Sequence, residues 1–169
     1  MADDVRGDNI INGQEIEDRI DDLRTDLGLD RIEDIDQELA DLETEREGFD
    51  QTDPENEERL DEIIAETQAL NVEKADLIAG QDDSDLEELA QLKAFVKEVE
   101  DYANDRVRDT VFIRESHFTE YAEQLAEDIG AVNEGAQWPN NCIDWDKAAS
   151  ELKIDYTSAD LDGVTYWFR

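Results

Sequence analysis

The sequence predicts an α+β protein that is mostly α, with acidic coiled-coil-like helices over residues 1–109 and a small β-α-α-β-β domain over residues 110–169. Three observations carry this division. Residues 1–110 hold 38 acids and 11 bases, whereas residues 111–169 hold 12 and 4. Aromatic residues run the other way, with nine of the twelve lying after residue 110. The apolar period also changes, from helical spacing of three and four to strand alternation with turn signals. Apolar residues make up 38% of the chain, below the roughly 45–50% usual in globular proteins, so one core cannot fill its whole length.

In the first region Ile16, Ile20, Leu23 and Leu27 form a seam on one helical face, and Gly28 ends it at a C-terminal cap position. Ile32, Ile35, Leu39 and Leu42 resume in a new phase. The stretch 49–54 reads as a turn, with Asp53 as N-cap and Pro54 at the first helical position. Leu60, Ile63, Thr67, Leu70 and Leu77 mark a third helix ending near Gly80. After an Asp-rich break at 82–85, Leu86, Leu89, Leu92, Val96, Val99 and Ala103 mark a fourth. These seams are one or two residues wide, narrower than the stripe of a helix in a globular core. They suit an antiparallel helical hairpin of 30–49 with 55–79.

The second region opens with a strand over Val107–Ile113. Ser116 is placed to cap a helix carrying Phe118, Tyr121, Ala122, Leu125, Ala126 and Ile129, ended by Gly130. A loop with Gly135 and Trp138-Pro139 follows and is expected to pack onto the sheet. A second helix starts near Asp144 and carries Trp145, Ala148, Ala149 and Leu152. Residues 156–161 and 164–168 around Asp162-Gly163 have the signature of a hairpin. Trp167 lies between Tyr166 and Phe168, which puts aromatic groups on both faces of the last strand. Such a strand is central or covered by a partner, which predicts a homodimer interface through Trp145, Tyr166, Trp167 and Phe168.

The formal charge of −35 argues against direct nucleic-acid binding, because a polyanion gains nothing by neutralising phosphates, and against anionic membrane surfaces. Fitting partners are basic surfaces, cations, or proteins that normally hold DNA. No run approaches the length of a membrane span and the N-terminus is acidic, so a cytoplasmic location is expected. One Cys and one His leave no cluster for zinc or an iron–sulfur centre. His117 lacks a nucleophile at motif spacing and reads as a surface or cap residue. Cys142 reads as a small buried side chain. The acidic runs 50–58 and 82–88 lack the alternating oxygen ligands of a calcium loop, and there is no phosphate loop or Ser/His/Asp signature. The expectation is therefore a non-enzyme without cofactor or metal.

Charge is the strongest functional signal. Between Gln14 and Glu47 there are 15 acids and 4 bases. If helical, at about 1.5 Å per residue, the stretch carries one carboxylate per roughly 3.4 Å, the phosphate spacing along one strand of B-DNA. Two such helices side by side approach the gross density of a duplex. The residues expected to stand in for phosphates are Asp18, Asp21, Asp22, Asp26, Glu33, Asp34, Asp36 and Asp41 on the first two helices. Glu57, Glu58, Asp61 and Glu62 join them from the third, and Asp83, Asp85, Glu87 and Glu88 from the fourth. Two other readings account for the same charge: a non-enzymatic acidic coiled-coil adaptor, and halophilic chemistry in which acid serves solubility.

Several C-terminal blocks stand out together: Phe118–Gly130 (FTEYAEQLAEDIG), Trp138–Trp145 (WPNNCIDW), Ala148-Ala149 with Leu152, Asp155-Tyr156, and Gly163–Phe168 (GVTYWF). They resemble the last domain of ArdA-type antirestriction proteins of phages and prophages, in which an Ile-Asp-aromatic-x-x-Ala pattern opens a helix before a closing hairpin. The similarity covers about the last third of the chain. It implies an acidic, dimeric DNA mimic that inhibits type I restriction–modification enzymes, acting in the cytoplasm of the host cell if phage-encoded. The partner implied is a DNA-binding defence protein of the host. The first two-thirds departs from that family, so no binding residue carries across.

Overall fold

Asp162 and Gly163 take φ values of 52° and 74°, the left-handed pair that a two-residue type I′ hairpin turn requires. Asp160 holds the turn by accepting a hydrogen bond from the Gly163 N–H at 2.8 Å. The turn joins β3 (Thr157–Leu161) to β4 (Val164–Phe168). The computed structural model describes residues 5–50, 53–103, 106–132, 138 and 140–169. Within them the remaining elements are β1 (Ile10–Asn12), α1 (Gly13–Asp26), α2 (Leu29–Gly48), α3 (Glu57–Ala79), α4 (Asp83–Ala103), β2 (Val111–Arg114), α5 (Phe118–Asp128) and α6 (Trp145–Leu152). The fold is α+β and mostly α, as the sequence predicts. Gly135 and Pro139 of the expected loop lie outside the described residues.

The chain divides into two compact units, residues 1–20 with 90–169, and residues 21–89. The division expected from composition, 1–109 and 110–169, is drawn differently here, because the sheet takes a strand from near each end of the chain. Its order is β1-β2-β4-β3, antiparallel throughout. β1 was not expected: three residues are too few to show a period. Its Ile11 lies opposite Phe112 and is fully buried.

Each face of the sheet is covered within this unit. On one, Ile113 packs with Phe118 and Ala122 of α5, Ala149 of α6, and Tyr156, with Trp167 alongside. On the other, Phe95 of α4 meets Phe112 edge-on at 5.0 Å and Tyr166 at 6.3 Å between ring centroids, and Phe112 lies 5.4 Å from Phe168. Tyr166 and Phe168 are 0% and 2% exposed. They are core residues of this chain and are not available as a dimer interface; Trp145 and Trp167 are half-buried. The aromatic pattern that prompted the homodimer is explained by β4 being central. The Tyr166 hydroxyl also donates to the carbonyls of Arg6 and Asp8, at 3.2 and 3.0 Å, tying β4 to the segment before β1.

Local chemistry sets most element ends. The Asp144 carboxylate accepts from the Lys147 N–H at 3.0 Å and starts α6, and Asp53 accepts from the Glu55 N–H. A 3-10 turn over Pro54–Asn56 precedes α3, so the helix proper begins later than expected. The strand expected from Val107 begins only at Val111. Val107–Asp109 forms a 3-10 turn instead, with Val107 buried, held by the Thr110 hydroxyl on the Arg106 carbonyl at 2.9 Å and the Thr110 N–H on the Val107 carbonyl. Ser116 does not cap α5: it lies in another 3-10 turn, and His117 occupies the cap position without a side-chain cap bond. Cys142 is exposed rather than buried. Trp138 is 78% exposed and does not pack onto the sheet. Among the described residues no helix is long and apolar enough to cross a membrane.

Candidate interaction surface

α2 and α3 pair antiparallel along the expected seam. Gly28, at φ 65°, separates α1 from α2. Only Ile35 and Ile63 of the seam are fully buried; Ile32, Leu39, Leu42, Leu60, Leu70 and Leu77 are half-buried. With so narrow an apolar contact, charge pairs across the seam fix the register. The Arg31 guanidinium grips the Glu73 carboxylate through two bonds of 2.7 and 3.0 Å. Arg59 grips Glu45 in the same way at 2.7 and 2.8 Å, and Lys74 reaches Asp36. Such forks are the most directional of exposed ion pairs, though solvent screening keeps each of them weak.

The electrostatics follow from this geometry. The guanidinium bonds hold Glu45 and Glu73 below the usual carboxylate range. In return the carboxylates raise Arg31 and Arg59 further above an already basic value. Arg24 is raised by Asp30 and Glu33, which it bonds on α2. Arg46 pairs with Glu43 at 3.2 Å. Residues 21–89 contain 27 acids and five bases, and all five bases are engaged by carboxylates of the same unit. The surplus is carboxylate, and most of it faces outward.

Of the acids expected to mimic phosphates, Asp18 belongs to the other unit, where it lies 3.9 Å from Arg108. Asp21, Asp26, Asp34, Asp41, Glu57, Glu58, Asp61, Asp83 and Glu87 are exposed, and Asp22 and Asp85 are half-buried. Glu33, Asp36 and Glu62 are exposed but engaged by Arg24, Lys74 and Arg59. Glu88 is a correction: it is 3% exposed and cannot present its carboxylate to a partner. Together α2 and α3 hold 16 acids and 4 bases. Over the roughly 35 Å of the longer helix this is one net charge per about 3 Å, near the spacing of a single DNA strand and well short of the duplex value of about 1.7 Å. The expected approach to duplex density is thus lowered by the arginines and the lysine.

Sequence reasoning passed over Glu38, Glu45, Glu66, Glu73 and Asp76, which border the clefts of the hairpin together with Asp41. A signal for two of them existed. Arg31 with Glu73, and Arg59 with Glu45, occupy mirror positions in the sequence, each pair centred on residue 52 between α2 and α3; residues 51 and 52 of the expected turn lie outside the described residues.

Polar contacts also tie together elements of the α+β unit. Glu115 accepts from Lys153 at 2.6 Å and from the Trp167 indole, and these bonds, Lys153 foremost, hold its pKa below the usual range. The Tyr156 hydroxyl, raised by burial and then by its 3.0 Å bond with Tyr121, stays neutral. His117 lies 2.8 Å from Glu120 at the surface of α5. Among the described residues no group of three or more His, Cys, Asp or Glu is disposed to hold a metal ion.

The depressed pKa of Glu115 gives a test with a defined sign. A carboxyl whose folded pKa lies below its unfolded value stabilises above the unfolded value of about 4.3 and loses that contribution as pH falls through the folded value. Thermal melts of the wild type and Glu115→Gln are expected to differ most above pH 5 and to converge below pH 4. A difference that stays constant or widens in acid would show that the Lys153 and Trp167 contacts do not favour the ionised form.

A comparison with protein-family models, with curated proteins and with solved structures finds no match for this chain.

Proposed function

We propose that the protein is a non-enzymatic, phosphate-like polyanion whose acidic helices occupy the DNA-binding groove of a host defence enzyme of the restriction–modification kind. The observation that carries this is the asymmetry of the hairpin unit. Its five bases are engaged by neighbouring carboxylates, while Asp34, Asp41, Glu57, Glu58 and Asp61 remain exposed. A groove lined with Lys and Arg meets a rigid array of negative charge at about the linear density of one DNA strand. The C-terminal resemblance to antirestriction proteins supports the same reading, with the host cytoplasm as the place of action.

The test is competition. A type I restriction–modification enzyme is mixed with the protein and a labelled duplex carrying its recognition site. Under mimicry the protein displaces the duplex, excess unlabelled duplex displaces the protein, and added salt weakens the protein–enzyme complex. In cells carrying that enzyme, expression of the protein raises the plating efficiency of unmodified phage. A complex that survives saturating DNA would replace mimicry with the adaptor reading.

A further inference from the structure

The hairpin also carries a feature that a polyanion does not need. Two clefts adjoin on its surface and share Ala69. One, of about 470 Å³, has Leu42, Leu70 and Ala69 as its apolar lining and Glu38, Asp41, Glu45 and Glu66 as its acidic residues. The other, of about 780 Å³, is shallow and open and lies on α3 alone, lined by Ala65, Gln68, Ala69, Val72 and Leu77 with Glu73 and Asp76. Val72 is 62% exposed. The two clefts form one apolar strip with carboxylates along it.

We propose that this strip is a docking groove for an amphipathic helix of a partner protein, apolar on the face it presents and carrying Lys or Arg toward each end. Charge decides the occupant. Glu38, Glu45, Glu66 and Glu73 are each bonded to Arg31 or Arg59. Asp41 accepts only a neutral amide, from Gln37 at 2.9 Å, and no ion pair of Asp76 occurs among the described residues. The Arg31–Glu73 and Arg59–Glu45 pairs set the antiparallel register, which places Asp41 and Asp76 roughly 16–20 Å apart along the hairpin at about 1.5 Å per residue. An incoming helix of about four turns spans that distance with a basic residue near each carboxylate and its apolar positions over Ala69 and Val72, the helix-in-groove mode of recognition. A second copy of this chain is the poorer occupant, because it brings a further net charge of −35 against the same carboxylates.

The groove shares Asp41 with the phosphate-like array, and one substitution separates the two. Ala69→Glu puts a carboxylate on the floor of the groove, at a position already exposed, and adds negative charge. Ala79→Glu makes the same charge change at an exposed position of α3 outside the clefts. The probe is a synthetic 18-residue helical peptide with Leu and Ala on one face and Lys at both ends, titrated into the full chain by fluorescence anisotropy beside a scrambled peptide of identical composition. The docking groove predicts 1:1 binding of the helical peptide, at least tenfold weaker binding of the scrambled one, and at least a tenfold loss in Ala69→Glu but less than twofold in Ala79→Glu, with unchanged helicity by circular dichroism. Equal binding of the two peptides, or equal affinity of the two variants, would reduce the groove to unspecific charge attraction and overturn it. So would a concentration-dependent dimer abolished by Ala69→Glu, which would make a second copy the occupant. Mimicry is tested by the duplex competition, in which Ala69→Glu leaves displacement unchanged whatever becomes of the groove.

Discussion

Gly13→Ala is expected to cost at least about 3 kcal/mol, a fall of roughly 6–12 °C in melting temperature for a chain of this size. Gly13 is the first residue of α1 and is buried. Its N–H donates to the Thr110 carbonyl at 2.8 Å. A Cβ there would lie 1.6 Å from the Val107 carbonyl oxygen and 2.5 Å from its carbon. Both are backbone atoms, so no rotamer change can relieve the overlap. Either the 3-10 turn at Val107–Asp109 or the start of α1 must move, and the pairing of β1 with β2 lies between them. The matched control is Gly7→Ala, where an added Cβ meets nothing within 4 Å and the melting temperature should change little. Equal melting of the two variants would show that the chain closes around Gly13 less tightly than the contacts indicate.

The second large effect concerns binding and is cumulative. Exposed charge pairs contribute at most about 1 kcal/mol each, so replacing any one of Asp34, Asp41, Glu57, Glu58 or Asp61 by its amide should weaken inhibition of a DNA-binding target by less than about fivefold. All five together should weaken it by a factor on the order of 10²–10³, with the steps unequal because neighbouring charges are not independent. None of the five forms an ion pair within the described residues, so helicity and melting temperature should hold or rise as self-repulsion falls. Inhibition titrations of the single and combined variants test this. One residue accounting for most of the loss, or a fivefold variant that inhibits like wild type, would remove the phosphate-like array as the cause.

The helices and the closing hairpin were legible in the sequence because several of their ends carry local signals. Gly28 supplies a left-handed residue, and Asp53, Asp144 and Asp162-Gly163 supply side-chain or backbone turns whose chemistry is local. What was not legible depends on residues far apart in the chain. Ile10–Asn12 becomes a strand only because β2, about a hundred residues later, offers an edge. The change at Val107–Asp109 depends on Gly13 packing against it. Tyr166 and Phe168 looked like interface residues because the sequence cannot show that α4 supplies Phe95 to their face. The candidate surface was legible as an excess of acid but not as a pattern. Asp36 and Glu33 look the same in sequence as Asp34 and Asp61, and only the pairing of α2 with α3 and the reach of Arg24 distinguish them, whereas Glu62 is taken by Arg59 three residues before it on the same helix. Glu88 differs from Glu87 by one position on α4, which turns its side chain inward.

The strand β1 at Ile10–Asn12 has a consequence for synthesis. At the usual translation rate of about 5–20 residues per second, β1 leaves the ribosome roughly 5–20 s before β2 exists to receive it. Ile10 and Ile11 would spend that interval as an unpaired apolar edge, the kind of segment that seeds aggregation. The helices that emerge in between are the most acidic part of the chain, and their pairing is local enough to form without the sheet. Nascent chains therefore repel one another while the strand waits. On this view the carboxylates act first on the protein's own unfinished copies, before the proposed partner is met.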